Sequence, residues 1–109
     1  MLLVTSSGEI SLTRGDTARL TVSVTNDNDE PYVIQAGDTL TLSVKRSIKD
    51  TEFAFQKKIV GGDTFHIEPE DTDSLDFGKY KYDVEITTEN GEVYTVIPPT
   101  VFKILEEVT

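Results

Sequence analysis

The feature that most constrains this chain is an alternation of apolar and polar residues with a period of two. Ala18, Leu20, Val22 and Val24 alternate with Arg19, Thr21, Ser23 and Thr25; Leu40, Leu42 and Val44 alternate with Thr41, Ser43 and Lys45. Tyr80, Tyr82, Val84 and Ile86 alternate in the same way with Lys79, Lys81, Asp83 and Glu85. Successive side chains of a strand point to opposite faces, so each run predicts a strand with one buried face. Shorter runs at Ile10 to Leu12, Phe53 to Val60 and Thr64 to Ile67 follow the pattern, and a final strand runs from Val93 to Ile97 and resumes at Val101 to Leu105. The total is about seven strands, rich in the Thr, Val and aromatic residues that fit a pleated surface. No stretch carries a helical period; Pro69 to Leu75 predicts a single helical turn, with Pro69 placed to start it.

Turn residues punctuate these runs. Gly15, Gly61, Gly62 and Gly91 fall between them, and Glu89-Asn90-Gly91 predicts a tight hairpin in which Asn and Gly supply a left-handed pair. Pro98 and Pro99 cannot donate to a ladder, so the last strand has to lie at a sheet edge or be broken by a bulge there. With 109 residues, one domain spanning 1–109 is expected, and such a chain buries enough surface to need neither disulfides nor a metal for ordinary stability. Short, regularly spaced strands without helices predict an all-β fold, an antiparallel two-sheet β-sandwich. A jelly roll or a small barrel is the alternative arrangement.

Composition then excludes several functions. The absence of cysteine removes a thiol nucleophile, a disulfide frame and a thiolate zinc site. Twenty Asp and Glu against 10 Lys and Arg give a net charge of −10, which repels a phosphate backbone and an anionic membrane surface. Neither nucleic acid nor membrane insertion is expected. Leu2, Leu3 and Val4 form one short apolar run with no cationic segment before it, so no signal peptide is expected, and no apolar window is long enough to span a bilayer.

Each candidate site has a plainer structural explanation. Arg14-Gly15-Asp16 spells an integrin-binding tripeptide, but Gly and Asp between Leu12 and Ala18 are what a tight turn between strands needs. Asn26-Asp27-Asn28-Asp29-Glu30 is dense in oxygen ligands of the kind Ca²⁺ takes, yet it lacks the glycine and the distal bidentate Glu of a helix-flanked calcium loop, and reads as a solvated acidic loop. His66 is the only histidine, so a hydrolytic triad or an imidazole metal site would have to pass through it; flanked by inward Phe65 and Ile67, it is expected to point outward. Without Trp and without long loops to form a cleft, a sugar-cleaving carboxylate pair has little to be built from. Phe53, Phe55, Phe65, Phe77 and Phe102 are assigned to the core rather than to a ligand pocket. Lys45, Arg46, Lys49, Lys57 and Lys58 form the local basic cluster, read as a solvated face with edge-protecting lysines, or as a surface that meets the acidic side of a neighbouring subunit.

Two resemblances sharpen these expectations. The stretch from Glu68 through Asp76, Gly78 and Tyr80 into a strand resembles the tyrosine corner of immunoglobulin-like domains, with Tyr80 as the corner residue; Tyr82 then stands where antibody domains place their second cysteine. The segments Ile10-Ser11-Leu12-Thr13-Arg14-Gly15-Asp16-Thr17, Gly37-Asp38-Thr39-Leu40-Thr41-Leu42-Ser43-Val44-Lys45, Phe77-Gly78-Lys79-Tyr80-Lys81-Tyr82-Asp83-Val84 and Val93-Tyr94-Thr95-Val96-Ile97-Pro98-Pro99 together resemble small phage and prophage structural proteins, similar to the N-terminal domain of phage baseplate upper proteins. That resemblance implies a non-enzymatic, virion-associated protein of the baseplate, tail or head, with no catalytic, cofactor-binding or metal residues. It would be made in the host cytoplasm and act through contacts with other virion proteins or with copies of itself; purified alone, a monomer or a small homo-oligomer is expected. The expected docking segments are the strand edges at Leu2 to Val4 and Val101 to Leu105. A carbohydrate- or host-surface-binding module using the loops at one end of an immunoglobulin-like sandwich is the alternative.

Overall fold

The computed structural model describes residues 2–4, 8–26 and 28–106, and of 2–4 the backbone alone. Its elements are β1 (Leu2–Val4), β2 (Ile10–Thr13), β3 (Ala18–Thr21), β4 (Thr39–Lys45), β5 (Phe55–Val60), β6 (Thr64–Ile67), the single helical turn α1 (Pro69–Thr72), β7 (Gly78–Thr87) and β8 (Val93–Leu105). The chain is all-β, with a six-stranded sheet in the order β1-β2-β8-β7-β4-β5 and a separate β3-β6 pair. Eight strands stand among the described residues against about seven expected, the addition being β1. The expectation of purely antiparallel pairing is corrected at one place: β2 runs parallel to β8. The first core strand and the last therefore lie side by side, joining the two ends of the chain within one sheet.

The alternating runs bury the faces they predict. Leu40, Leu42 and Val44 on β4, Tyr80, Tyr82, Val84 and Ile86 on β7, and Phe102 and Ile104 on β8 form one apolar cluster with Leu20, Phe65 and Ile67 of the small sheet. Each such aliphatic or aromatic side chain withdrawn from water contributes roughly 1.5–3 kcal/mol before the entropy of ordering it is subtracted. Phe55 and Phe102 meet edge to face at 5.9 Å, and Tyr82 meets Phe102 at 6.0 Å, which fixes the register of β7 against β8 through their largest side chains.

The last strand is continuous through the prolines, not interrupted between residues 97 and 101. It absorbs Pro98 and Pro99 in a bulge: Tyr82 pairs with Thr100 and Val84 with Ile97, so β8 uses one residue more than β7 over that interval, and the register slips again between Val84 and Glu85. Among the described residues no strand lies on the other side of residues 93–99, because β2 reaches only Phe102 to Leu105. Edge and bulge thus both accommodate the missing N–H groups.

The hairpin at Glu89-Asn90-Gly91 forms with a different turn from the one expected. Gly91 has φ +86° while Asn90 is not left-handed, the Gly91 N–H donates to the Thr88 carbonyl at 2.9 Å, and the Thr88 N–H donates to the Glu92 carbonyl at 2.8 Å. A single left-handed glycine following a right-handed turn closes the longer loop, so no left-handed pair is required.

Two of the five phenylalanines depart from the core. Phe65 and Phe102 are fully buried and Phe55 is half-buried, but Phe53 is 46% and Phe77 37% exposed. The strand expected from Phe53 to Val60 begins only at Phe55, so Phe53, like Phe77, lies outside the regular strands, and each is covered by a cation instead: Lys45 stands 5.0 Å from the Phe53 ring and Arg14 4.1 Å from the Phe77 ring.

Candidate functional site

The Arg14-Gly15-Asp16 turn is stapled down. Gly15 has φ +82°, the Asp16 N–H donates to the Thr13 carbonyl at 3.1 Å, and the Gly15 N–H donates to the buried Thr72 hydroxyl of α1 at 2.9 Å. Arg14 lies along Phe77 with its guanidinium donating to the Leu75 carbonyl at 3.3 Å. A guanidinium committed to the α1–β7 connection serves the turn, as the plainer sequence reading holds.

The 26–30 loop is organised by one side chain. Asn26 Oδ1 accepts from the N–H groups of Asn28 at 2.9 Å and Glu30 at 3.1 Å, and the Asn26 N–H donates to the Glu30 carbonyl at 2.9 Å. That geometry leaves Asp29 left-handed at φ +60° and draws Thr25 and Pro31 together as a bridge. Asp27 lies outside the described residues. His66 points outward from β6 between fully buried Phe65 and Ile67, paired in register with Arg19.

The basic cluster is divided by the sheet. Lys57 faces α1 and forms an ion pair with Asp71 at 2.8 Å, while Arg46 stacks 4.7 Å from the Tyr80 ring and donates to the Phe77 carbonyl at 3.4 Å. Lys45 donates to the Asp50 carbonyl at 2.8 Å. On the outer face of the large sheet, away from the core, Lys45 and Lys58 stand in cross-strand rows with lysines and acids contributed by β7 and β8. Lys45 is directly opposite Lys81, Lys79 is directly opposite Lys103, and further along Ser43 opposes Asp83 and Thr41 opposes Glu85. The Asp83 carboxyl is held above its ordinary value by partial burial, with nearby Lys45 pulling the other way. Lys45, Phe53, Gln56, Asp83 and Pro99 line a shallow depression on this face.

One polar centre escaped the sequence reading. Asp38 is 2% exposed, and its Oδ2 accepts from the Gln35 N–H at 2.9 Å and from the Tyr32 hydroxyl at 2.7 Å. The Gln35 N–H, then the Tyr32 hydroxyl and the Glu89 N–H, hold this carboxyl below its usual value despite burial, and the same contact raises the Tyr32 phenol. The Asp38 carbonyl meanwhile accepts from the Gly61 N–H at 2.8 Å. All of these partners are groups of the fold, so Asp38 ties the start of β4 to the loop before it and to the turns after β5 and β7. Its sequence signal was faint: an Asp directly before a strand is read as a turn residue.

The expected docking segments are corrected in part. Residues 102–104 of the 101–105 segment are no edge, because β2 pairs with them on one side and β7 on the other, and Phe102 and Ile104 are fully buried there. Strand β1 does stand at the sheet edge, although its side chains lie outside the described residues. The open stretch of the final strand is its other half, residues 93–99, which carries Val93 and Tyr94, each 55% exposed. A groove of about 500 Å³, floored by Val24, Tyr32, Ile86 and Val96, runs beside it. Among the described residues no helix is long and apolar enough to cross a membrane. No protein-family model matches the chain, and no curated protein is significantly similar to it.

Proposed function

We propose that this protein is a non-enzymatic structural component of a phage or prophage particle, a baseplate, tail or head protein that works through protein–protein contacts. The fold proposed for it is an immunoglobulin-like β-sandwich. In support, β2, β8, β7, β4 and β5 follow one another in one sheet with β3 and β6 in the other, the two buried faces share one core, and the Tyr80 hydroxyl donates to the Asp76 carbonyl at 2.9 Å ahead of β7. The observation that carries the functional reading is the one-sided pairing of residues 93–99 among the described residues, where residues 93–97 offer backbone donors and acceptors beside a groove of mixed polarity to an added strand. Its placement in a virion rests on the resemblance of the strand and turn segments to the N-terminal domain of phage baseplate upper proteins, and partners are then other virion proteins or further copies.

Mass spectrometry of purified particles from an induced host tests this reading. Peptides of this chain are expected at a fixed ratio to tail or head proteins. Particles that lack the chain, while the host cytoplasm contains it, overturn the proposal.

A further inference from the structure

At one end of the outer face of the six-stranded sheet four lysines meet, with Asp83 and Glu85 further along the same face; Lys45 is engaged by the Asp50 carbonyl and the Phe53 ring, and the other three are not. Lys45 and Lys81 oppose each other across β4 and β7, and Lys79 and Lys103 oppose each other across β7 and β8, in neighbouring cross-strand rows. Like charges set directly opposite on one face of a sheet destabilise it, so four lysines in this register are a cost to the isolated fold. Among the described residues Lys79, Lys81 and Lys103 form no ion pair. These four are drawn from only 10 basic residues in a chain of net charge −10.

The opposite charge is concentrated elsewhere. Residues 63–78 contain Asp63, Glu68, Glu70, Asp71, Asp73 and Asp76 and neither Lys nor Arg, and Glu70, Asp73 and Asp76 are exposed. We infer that the lysine rows of the outer sheet face dock the carboxylate-rich 63–78 segment of a second copy of this chain. The net charge of −10 that repels a phosphate polymer or an anionic bilayer is carried by a second copy as well, so the attraction is local, between the bounded lysine rows and the bounded carboxylates of 63–78. Face and segment are different surfaces, so the contact is heterologous, and repeated copies close into a ring or extend as a filament according to the rotation between them. This inference rests on reading the protein as an assembly module and names the surface through which its copies join.

Sedimentation velocity over a concentration series, at about 0.05 M and about 0.5 M salt, tests it. The wild-type chain is expected to associate at low salt and dissociate at high salt. K79E/K103E and E70K/D73K should each weaken association at least about tenfold, because each places like charges together. A chain carrying all four substitutions should associate again. Thermal melting monitors the fold of every variant, and all four positions are exposed or half-buried without apolar roles. A wild-type chain monomeric throughout, a folded fourfold variant that stays monomeric, or binding of a DNA duplex or an anionic vesicle in place of self-association overturns the inference. A monomer that is nevertheless found in particles removes this surface and leaves the virion reading standing.

Discussion

The Tyr32 hydroxyl and the Asp38 carboxylate lie 2.7 Å apart, and around this contact the long connection between β3 and β4 is fastened to the large sheet. Asp38 is almost fully buried yet accepts hydrogen bonds that favour its charged form, so its folded-state affinity for protons is lower than in the unfolded chain. A depressed carboxyl contributes stability that is fully present above the unfolded value of 3.8 and is lost as pH falls through the folded value. Asp38→Ala is therefore expected to lower the melting temperature at neutral pH, with the gap to wild type narrowing as the medium is acidified below that value. Melting curves at several pH values check this, and an Asp38→Ala chain as stable as wild type at neutral pH contradicts it.

Asp83 has the opposite sign. Partial burial raises its folded value above 3.8, so the folded state holds its proton to higher pH and stability falls as pH rises through that interval. Asp83→Asn removes the cost of a half-buried charge and should raise the melting temperature at neutral pH, the advantage disappearing in acid. Loss of the attraction to Lys45 works against the gain and keeps it small. An Asp83→Asn variant destabilised equally at every pH rules this account out.

Tyr80→Phe isolates the corner hydrogen bond. The ring stays buried beneath the Arg46 guanidinium, 4.7 Å away, while the Asp76 carbonyl loses its donor. A loss of about 1–2 kcal/mol is expected in denaturant unfolding. If the change proves neutral, the corner holds nothing.

Phenylalanine truncation should divide by position. Phe65→Ala empties a fully buried site between the sheets and is expected to cost about 3–5 kcal/mol. Phe53→Ala removes a ring that is 46% exposed and a cation contact at 5.0 Å, an effect of about 1 kcal/mol or less. Equal losses at the two positions contradict this assignment of the core.

How far the fold was legible depended on how local the signal was. The alternation through β4 and β7 named Leu40, Leu42, Val44, Tyr80, Tyr82, Val84 and Ile86 as inward, and all seven are buried. His66 faces outward and Pro69 opens a single helical turn, as their neighbours dictate. Phe53 was misplaced because the expected strand from Phe53 to Val60 starts only at Phe55, and Phe77 because hydrophobicity alone, without a strand period around the residue, does not set a facing. Asn90 was misassigned because Asn-Gly suits more than one turn, and loop length selected the other. The Asp38 centre was invisible because its donors come from Gln35, Tyr32 and Glu89, two of them close in sequence and one far away.

The sequence by itself determined that this chain is built of strands, which side of each strand meets the core, and where most of the turns fall, because a two-residue period and turn chemistry are properties of neighbouring residues. The tertiary structure alone decided that β2 runs parallel to β8, that residues 102–104 are enclosed while residues 93–99 have a strand on one side only among the described residues, and that four lysines from three strands oppose one another on one face. Strand order and register follow from contacts between segments far apart in the chain, which the pattern within any one segment does not encode.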